Sequence, residues 1–477
     1  MSGLFSGLKQ AATALDIHAK QATIAGNNIA NLNNDKYARQ YAIISTAGST
    51  LAGSGVESLG IEISTIQNVR NVILDNQIVK EGMVQGSLKS QQIFSASIET
   101  AIGEKIDRSQ TTSSISTTSD NGSTGGIAQG IDDFFNAFKG LSATPTDSSQ
   151  KVVLVEKASA LVSKLNLVSS RLATVDASAV ETINGDVNKV NDLLGKIATF
   201  NTAISRLEVG KPGSALEVRD ELQGVYEELA QYVNFNVKPI DSSPGNVQVV
   251  IQDTSGNDIV LVNKGVVDNA LNYNGTSFVA SGTSSATLDV KSGSLGGVQS
   301  VRTGVLAQTQ TQLNALTSQI VGSVNTAYNP TSATGQDFFL STGTTAATIA
   351  LDPNLTVTSL KTTNTSAASA NELAIAVAGL VDQTFSTGSG ASINGTFTDY
   401  FNQINTGVAK EVTSAKSALS GSDLALQSYK KQRATIGGVS LDEEVTNLMR
   451  YQKAYQASAR VMSVISQLMD ELVGLVR

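Results

Sequence analysis

The 477-residue sequence has no cysteine, no tryptophan and only one histidine, His18. Without thiols the chain forms no disulfide and no thiolate metal site, and no acidic loop has the spacing of a calcium site. A serine nucleophile would have no histidine base other than His18, and no serine lies in a G-x-S-x-G turn. We therefore expect a protein that is not an enzyme and that carries no metal ion or other cofactor.

Charge and long apolar runs are also scarce. Only 16% of residues are charged, the net charge is −8, and no cluster of Lys and Arg stands out, so we expect no nucleic-acid partner. No run of about 20 apolar residues occurs, which argues against membrane insertion. The first 30 residues are periodic and polar rather than basic and then apolar, so we expect no cleaved signal peptide. The lack of cysteine suits a cytoplasmic protein or one that is exported unfolded.

What the sequence does contain is an amphipathic helical pattern at each end. We predict an assembly seam formed by Leu4, Leu8, Ala11, Leu15, Ala22 and Ile29 near the start and by Leu441, Leu448, Tyr455, Met462, Met469 and Val476 near the end. The first stretch is rich in Ala, Asn, Gln and Ser, so its helix would be only marginally stable alone. We expect each stripe to pack against the other terminus or another copy of the chain, and the alternative is a monomeric helical bundle.

The spacing of apolar residues and the composition change along the chain. One long helical pattern runs from 149 to about 207, whereas apolar runs at 247–251 and 259–262 flank a turn and predict a hairpin. Residues 241–400 are rich in Gly, Ser and Thr, and they hold ten acidic and four basic residues. Such a composition indicates an outer domain that is exposed to solvent.

We therefore predict a multidomain α+β fold, with an elongated helical stem, terminal coiled-coil helices from both chain ends and an inserted β-rich outer domain. The predicted segments are a coiled-coil helix at 1–34, stem at 35–233, β-rich outer domain at 234–297, a helix at 298–328, β-rich outer domain again at 329–400, stem at 401–437 and a coiled-coil helix at 438–477.

Several short motifs resemble those of the bacterial flagellar axial proteins. The resemblance rests on Asn27, Asn28, Asn31, Tyr37, Arg39 and Gln40 near the start, and on Asp442 and Glu443 at the head of the last helical stretch. Within that family, the Arg219-Asp220 block and the stretch from Gly296 to Phe339 are similar to the FlgK type of hook-associated protein. The family usually has glycine before the signature tyrosine. Here Asp35 and Lys36 precede it, so Asn34 or Asp35 would have to take the left-handed turn conformation.

This resemblance implies a structural protein rather than a catalyst. FlgK-type members of the family are exported unfolded through the flagellar type III apparatus, and they form the junction layer between hook and filament outside the cell. The partners it implies are further copies of the chain, the hook protein, the second hook-associated protein, and an export chaperone that covers the C-terminal helix.

Two other interpretations stay open. The chain could be the second junction protein, FlgL, or a flagellin-like filament subunit, although those are usually shorter in the helical middle and lack the Arg219-Asp220 block. From another class, it could be a secreted coiled-coil adhesin or binding module that presents residues 241–400 to a ligand.

Overall fold

The structure is a computed structural model that describes residues 2–34, 36–52, 55–58, 60–103, 126–210, 213–240, 247–364 and 370–475. The α-helices within these ranges are α1 (Ser2–Ala30), α2 (Val72–Ile102), α3 (Ile127–Ala143), α4 (Ser148–Leu207), α5 (Leu216–Ala230), α6 (Gly293–Val301), α7 (Ala307–Tyr328), α8 (Glu372–Ala378), α9 (Phe397–Gly437) and α10 (Leu441–Leu475). The strands are β1 (Gln40–Thr46), β2 (Ser49–Ala52), β3 (Gly55–Ser58), β4 (Ile61–Asn68), β5 (Asn236–Pro239), β6 (Val247–Gln252), β7 (Asp258–Asn263), β8 (Val266–Val267), β9 (Asn269–Tyr273) and β10 (Phe278–Gly282).

The prediction of an α+β fold with long terminal helices and a β region in the middle of the chain is confirmed. The 60-residue helix α4 covers the long pattern expected from the sequence, because its interior contains no proline and buries apolar side chains at helical spacing. None of the helices within the described ranges has both the length and the apolar character needed to cross a membrane.

The chain divides into two compact units. The first consists of residues 1–85, 187–293 and 421–477, and the second of residues 86–186 and 294–420. Helices α2, α4 and α9 contribute residues to both. The boundaries predicted from composition follow changes in secondary structure, and they do not coincide with these units.

The first unit holds the β-sheets. Strands β5, β6, β7 and β8 form an antiparallel sheet in chain order, β9 pairs with β10, and β1 pairs with β4 while β2 and β3 form a hairpin between them. Asn201 of α4 is fully buried, and its Nδ2 donates to the backbone oxygens of Val247 (3.1 Å) and Lys264 (2.8 Å). These hydrogen bonds attach the start of β6 and the residue after β7 to α4.

Helices α2 and α9 also pack in the first unit. Leu74 and Ile78 of α2 form a buried cluster with Leu426 of α9. Gln85 Nε2 of α2 donates to Asp423 Oδ1 of α9 (2.6 Å), whereas Arg433 Nη1, further along α9, lies 3.4 Å from Asp75 Oδ1, which comes earlier on α2. Residue numbers therefore rise on one helix as they fall on the other, and the two helices are antiparallel.

The second unit is built around phenylalanine rings. Phe134 lies 5.2 Å from Phe138 and 5.6 Å from both Phe338 and Phe339 between ring centroids, and all four rings are fully buried. The interplanar angles are tilted or edge-on, the arrangements that aromatic pairs prefer. Four of the 13 phenylalanines of the sequence thus meet at one place in the second unit.

The prediction of a β-rich second part at 329–400 is wrong. Among the described residues there, only isolated bridges form, such as Phe339 with Leu351, together with α8 and two short 3-10 helices. Asn329 shows the reason: its side chain bonds the backbone of Ala333 and the carboxylate of Asp337. Short polar side chains form hydrogen bonds with backbone N–H and C=O groups in turns. Fewer backbone groups then remain to form hydrogen bonds between strands. The helix predicted at 298–328 starts at 293 and contains a π-helical turn at Arg302–Leu306.

Candidate assembly site at the base of the terminal helices

The two terminal helices form an antiparallel pair. A Cβ placed on Gly7 of α1 would lie 3.4 Å from Cδ1 of Ile465 of α10, and Asn28 Nδ2 lies 3.0 Å from Glu444 Oε2. These two contacts are 21 residues apart on both helices (28 − 7 and 465 − 444). Because 21 residues make three heptads, the helices keep one register along this length, as in a coiled coil.

The buried face of α1 overlaps the predicted seam only in part. Of the predicted residues Ala11 is buried, whereas Leu4, Leu8, Leu15, Ala22 and Ile29 are half-buried. The structure instead buries Ile17, Ile24, Ala25 and Asn28. Ile17 and Ile24 are themselves seven residues apart, so the predicted spacing is right and the predicted line of residues is wrong. Neighbouring lines on a helix share the same seven-residue spacing, and the contact with α10 decides which of them is buried.

Helix α10 has two apolar faces. Leu448, Met462 and Met469 of the predicted seam are half-buried, while Leu441 is 46% and Tyr455 40% exposed, so these two do not lie on the face toward α1. Val476 lies outside the described residues. A further set of large side chains is exposed at helical spacing, namely Val461, Val464, Leu468 and Leu472. Within the described chain this second face has no partner that buries it.

Asn28 is the centre of a buried polar cluster at the base of the helix pair. Its Oδ1 accepts hydrogen bonds from Tyr37 Oη (2.8 Å) and from the backbone N of Gln40 (3.0 Å). Its Nδ2 donates to Gln40 O (2.9 Å) and to Glu444 Oε2 (3.0 Å). The amide uses both of its donors and both lone pairs, so the residue fixes the positions of three segments at once.

Arg39 ties the same base to the start of α10. Its Nε lies 2.7 Å from Glu444 Oε1 and its Nη1 3.3 Å from Glu443 Oε2, with 29% of the arginine side chain and 3% of the Glu444 side chain exposed. The backbone N of Arg39 donates to Gly437 O (3.0 Å), and its carbonyl accepts from Val69 N (2.8 Å). Residues 37–40 therefore connect both terminal helices to α9 and to the end of β4.

Asp220 is a second buried carboxylate beside this cluster. It accepts hydrogen bonds from Ala38 N (3.0 Å), Asn68 Nδ2 (3.0 Å) and Arg70 Nε (2.9 Å). Burial raises the pKa of Asp220, although the Ala38 amide and the Arg70 guanidinium act in the opposite direction. The carboxylate thus holds the segment after α1 against α5.

Arg219, which precedes Asp220 in the Arg219-Asp220 block, makes its contacts at a different place. Its Nε and Nη2 donate to the two carboxylate oxygens of Glu208 at 2.8 and 2.9 Å. Burial alone would raise the pKa of Glu208, but hydrogen bonds from Arg219 and from backbone amides outweigh it and hold that pKa below its usual value. This bidentate pair links the end of α4 to α5.

Tyr37 stays a hydrogen-bond donor over the whole range of ordinary pH. Burial, together with the nearby carboxylate of Asp220, raises the pKa of its phenol to about 12. The protonated phenol is the form that donates to Asn28. The contact is therefore insensitive to pH.

The turn between α1 and Tyr37 closes without glycine. Asn34 Oδ1 accepts from Lys36 N (3.1 Å) and Asn34 O accepts from Tyr37 N (3.0 Å). Asn34 does not take a left-handed conformation, since the described non-glycine residues with positive φ are Lys264 and Ser332. Asp35, the other residue proposed for that role, lies outside the described residues.

The structure brings together some motif residues and leaves others apart. Asn28, Tyr37, Arg39, Gln40, Asp220 and Glu443 meet at the base, while Asn27 and Asp442 are exposed and Asn31 donates to the backbone of Asn27. The sequence reading missed the roles of Glu444, Asn68 and Arg70. Glu444 had a usable signal: it lies four residues before Leu448 on the apolar stripe, and a charge on such a stripe needs a partner.

The cluster is suited to holding segments in place. Its donors and acceptors are paired with one another, and the described residues contain no group of three or more carboxylate or imidazole side chains placed to bind a metal ion. What this arrangement does is fix where the paired terminal helices leave the rest of the first unit.

Two families of flagellar proteins match parts of this chain. Residues 112–339 match the family described as the flagellar hook-associated protein FlgK helical domain, and residues 436–475 match the C-terminal family of the flagellar basal body rod FlgEFG proteins. The chain is 24% identical to flagellar hook-associated protein 1 of Bacillus subtilis (strain 168), over 99% of each chain. It is 23% identical to the protein of the same name in Escherichia coli (strain K12), over 100% of this chain and 99% of the relative.

A solved structure of the flagellar hook junction protein FlgK from Burkholderia pseudomallei is also similar. It matches with a TM-score of 0.45 and 19% identity, covering 56% of this chain and 46% of that one.

Proposed function

We propose, because this chain belongs to the FlgK-type flagellar hook-associated proteins, that it is a structural subunit of the bacterial flagellum and forms the layer between hook and filament. Its inner contacts come from about residues 1–34 and 438–477. The chain leaves the cell through the flagellar type III apparatus and folds into place outside.

The observation that carries this proposal is the second apolar face of α10. One face of the helix packs against α1, yet Val461, Val464 and Leu468 remain 52%, 54% and 47% exposed. Contiguous exposed apolar surface on a helix marks a contact with another protein. Neighbouring copies would cover it in the layer, and burial there would offset the entropy lost when the terminal helices become ordered.

The same face suggests which other partners are needed. Before export it would be exposed in the cytoplasm, so an export chaperone that binds the C-terminal helix would keep it from aggregating. In the flagellum the hook protein would lie on one side of the layer and the second hook-associated protein on the other.

Deleting residues 448–477 tests the proposal. The deletion keeps Glu444 and the polar cluster at the base but removes the exposed face of α10. We expect a soluble, folded body that no longer binds purified hook tips in electron micrographs. As a control, Leu424→Gln changes a 66% exposed residue of α9 and should bind normally. Normal capping of hooks by the truncated chain would defeat the proposal.

Two further measurements separate the alternative functions. Immunolabelling at the hook side of the junction, rather than along the filament, distinguishes this role from that of the second junction protein or a flagellin. Deletion of the gene should abolish motility. An adhesin would instead lose adhesion with motility intact.

A further inference from the structure

The first unit exposes a small aliphatic protrusion where α2 begins and α9 ends. Val72 and Ile73 are 68% and 72% exposed, and Ile436 is 49% exposed. Asn71 Oδ1 accepts from the backbone N of Ile73 (3.1 Å), which fixes the first turn of α2. We call Val72, Ile73 and Ile436 the aliphatic knob.

The members of the aliphatic knob are held near one another by a close backbone approach. A Cβ on Gly437 would lie only 2.4 Å from Val69 O, so the end of α9 lies directly against the segment that leads into α2. The antiparallel contact of Asp75 with Arg433 places the start of α2 beside the end of α9. Three large aliphatic side chains in solvent at a fixed place are costly to leave uncovered.

The same unit also contains an open groove between α4 and β8. Its volume is about 600 Å³. Gly195, Ala198, Thr202 and Ala203 of α4 line one side, and Val266 and Val267 of β8 line the other. The small side chains of α4 leave the groove open, and Val266 is 61% and Val267 36% exposed. We call this the α4–β8 groove, and its apolar wall is of a size to take several aliphatic side chains.

A basic residue lines the groove, and an acidic residue lies close in sequence to the knob. Arg206 lies at one end of the α4–β8 groove, and it is exposed. Asp442 is exposed five residues after Gly437, close in sequence to the aliphatic knob. An aliphatic surface with an acidic neighbour therefore matches an apolar groove with a basic end.

We propose that the aliphatic knob of one copy of this chain docks in the α4–β8 groove of a second copy. The two surfaces are different parts of one unit and are both exposed in the single chain. A contact between unlike surfaces repeats head to tail, and it generates a ring or a helical layer rather than a closed dimer. The inference rests on the proposed function, because it identifies the lateral contact by which the junction layer grows.

Intermolecular crosslinking tests the contact directly, because the sequence has no cysteine. Full-length Ile73→Cys and Val266→Cys variants are mixed, assembled on purified hooks and oxidised. A disulfide forms only if the two residues come close, within about 7 Å between Cα atoms. We expect crosslinked pairs in the mixed layer and none with either variant alone.

The outcomes separate this inference from the proposed function. If the mixture assembles on hooks and no crosslink forms, the knob-and-groove contact is wrong while the junction role stands. If the wild-type chain fails to bind hooks at all, the proposed function itself falls.

A second set of variants checks the surfaces by assembly. Val266→Asp should lower the amount of chain bound per hook about tenfold or more, because the carboxylate would be desolvated in the contact. Leu424→Asp is the matched control at another exposed site and should bind as the wild type does. Arg206→Glu and Asp442→Lys should each weaken assembly, and the double variant should recover it. Normal assembly by Val266→Asp, or the lack of recovery in the double variant, would overturn the inference.

Discussion

Replacing Glu444 by alanine tests whether the polar cluster anchors the terminal helices. The carboxylate is almost fully buried, and it accepts hydrogen bonds from Arg39 Nε at 2.7 Å and Asn28 Nδ2 at 3.0 Å. The substitution removes both bonds. It leaves the guanidinium with its weaker contact to Glu443 at 3.3 Å.

The size of the effect follows from these contacts. Removing one partner of a fully buried ion pair costs about 3–5 kcal/mol. The Arg39 side chain is 29% exposed and keeps Glu443, so solvent and that second carboxylate reduce the loss. We expect about 2–3 kcal/mol for opening of the helix pair, which raises its open fraction about 30- to 150-fold.

Amide hydrogen exchange measures this opening locally, which matters because a chain with two compact units has no single unfolding free energy. We expect faster exchange along α1 and α10 and unchanged exchange in the second unit. Asp442→Asn is the matched control: it removes a negative charge from the same first turn of α10 without touching the cluster. Equal exchange in α1 and α10 for the two variants would refute the reasoning.

Three other outcomes are expected. Gly437→Ala should destabilise the first unit, because its Cβ would lie 2.4 Å from Val69 O, whereas Gly421→Ala meets nothing within 4 Å; equal thermal unfolding of the two variants would contradict this. Glu208 has a lowered pKa in the folded chain, so its contribution is present above its unfolded pKa of about 4.5 and disappears as pH falls through the folded value. The difference between wild type and Glu208→Gln in the unfolding free energy of the first unit should therefore shrink as pH falls below about 5, and a difference that does not change with pH would exclude the Arg219 pair as its source. In the free chain, limited proteolysis should cut α1 and α10 before the rest, and protected ends would count against assembly-dependent ordering.

The sequence was sufficient where a repeating pattern is long. The pattern at 149–207 gave α4 almost to the residue, and the apolar runs around Val249 and Leu261 gave the β6–β7 hairpin. In both cases many side chains agree on one periodicity, so a few exceptions do not change the result. The break before α10 was also readable, because two successive glycines stand at 437–438.

The sequence was insufficient to predict features that depend on individual contacts in the folded chain. Ile17 and Ile24 are seven residues apart, and so are Leu8 and Leu15. Spacing alone therefore could not decide which pair of α1 is buried, because that depends on the partner helix. Residues 329–400 have a composition that suits strands and loops equally, and local side-chain hydrogen bonds decided for loops. The pairing of Glu444 with residues more than 400 positions away is a property of the folded chain.

The polar contacts at the base of the helix pair and the apolar contacts along its length have different physical effects. Along the pair, apolar contacts with small residues such as Gly7 and Ala11 bury little area and constrain direction weakly. Hydrogen bonds at the base weaken steeply when bent, so the bonds of Asn28 fix an angle as well as a position. In the layer proposed above, each subunit has to present its terminal helices in one direction before neighbouring copies arrive. Directional polar contacts at the base and adaptable apolar contacts along the helices together meet that requirement.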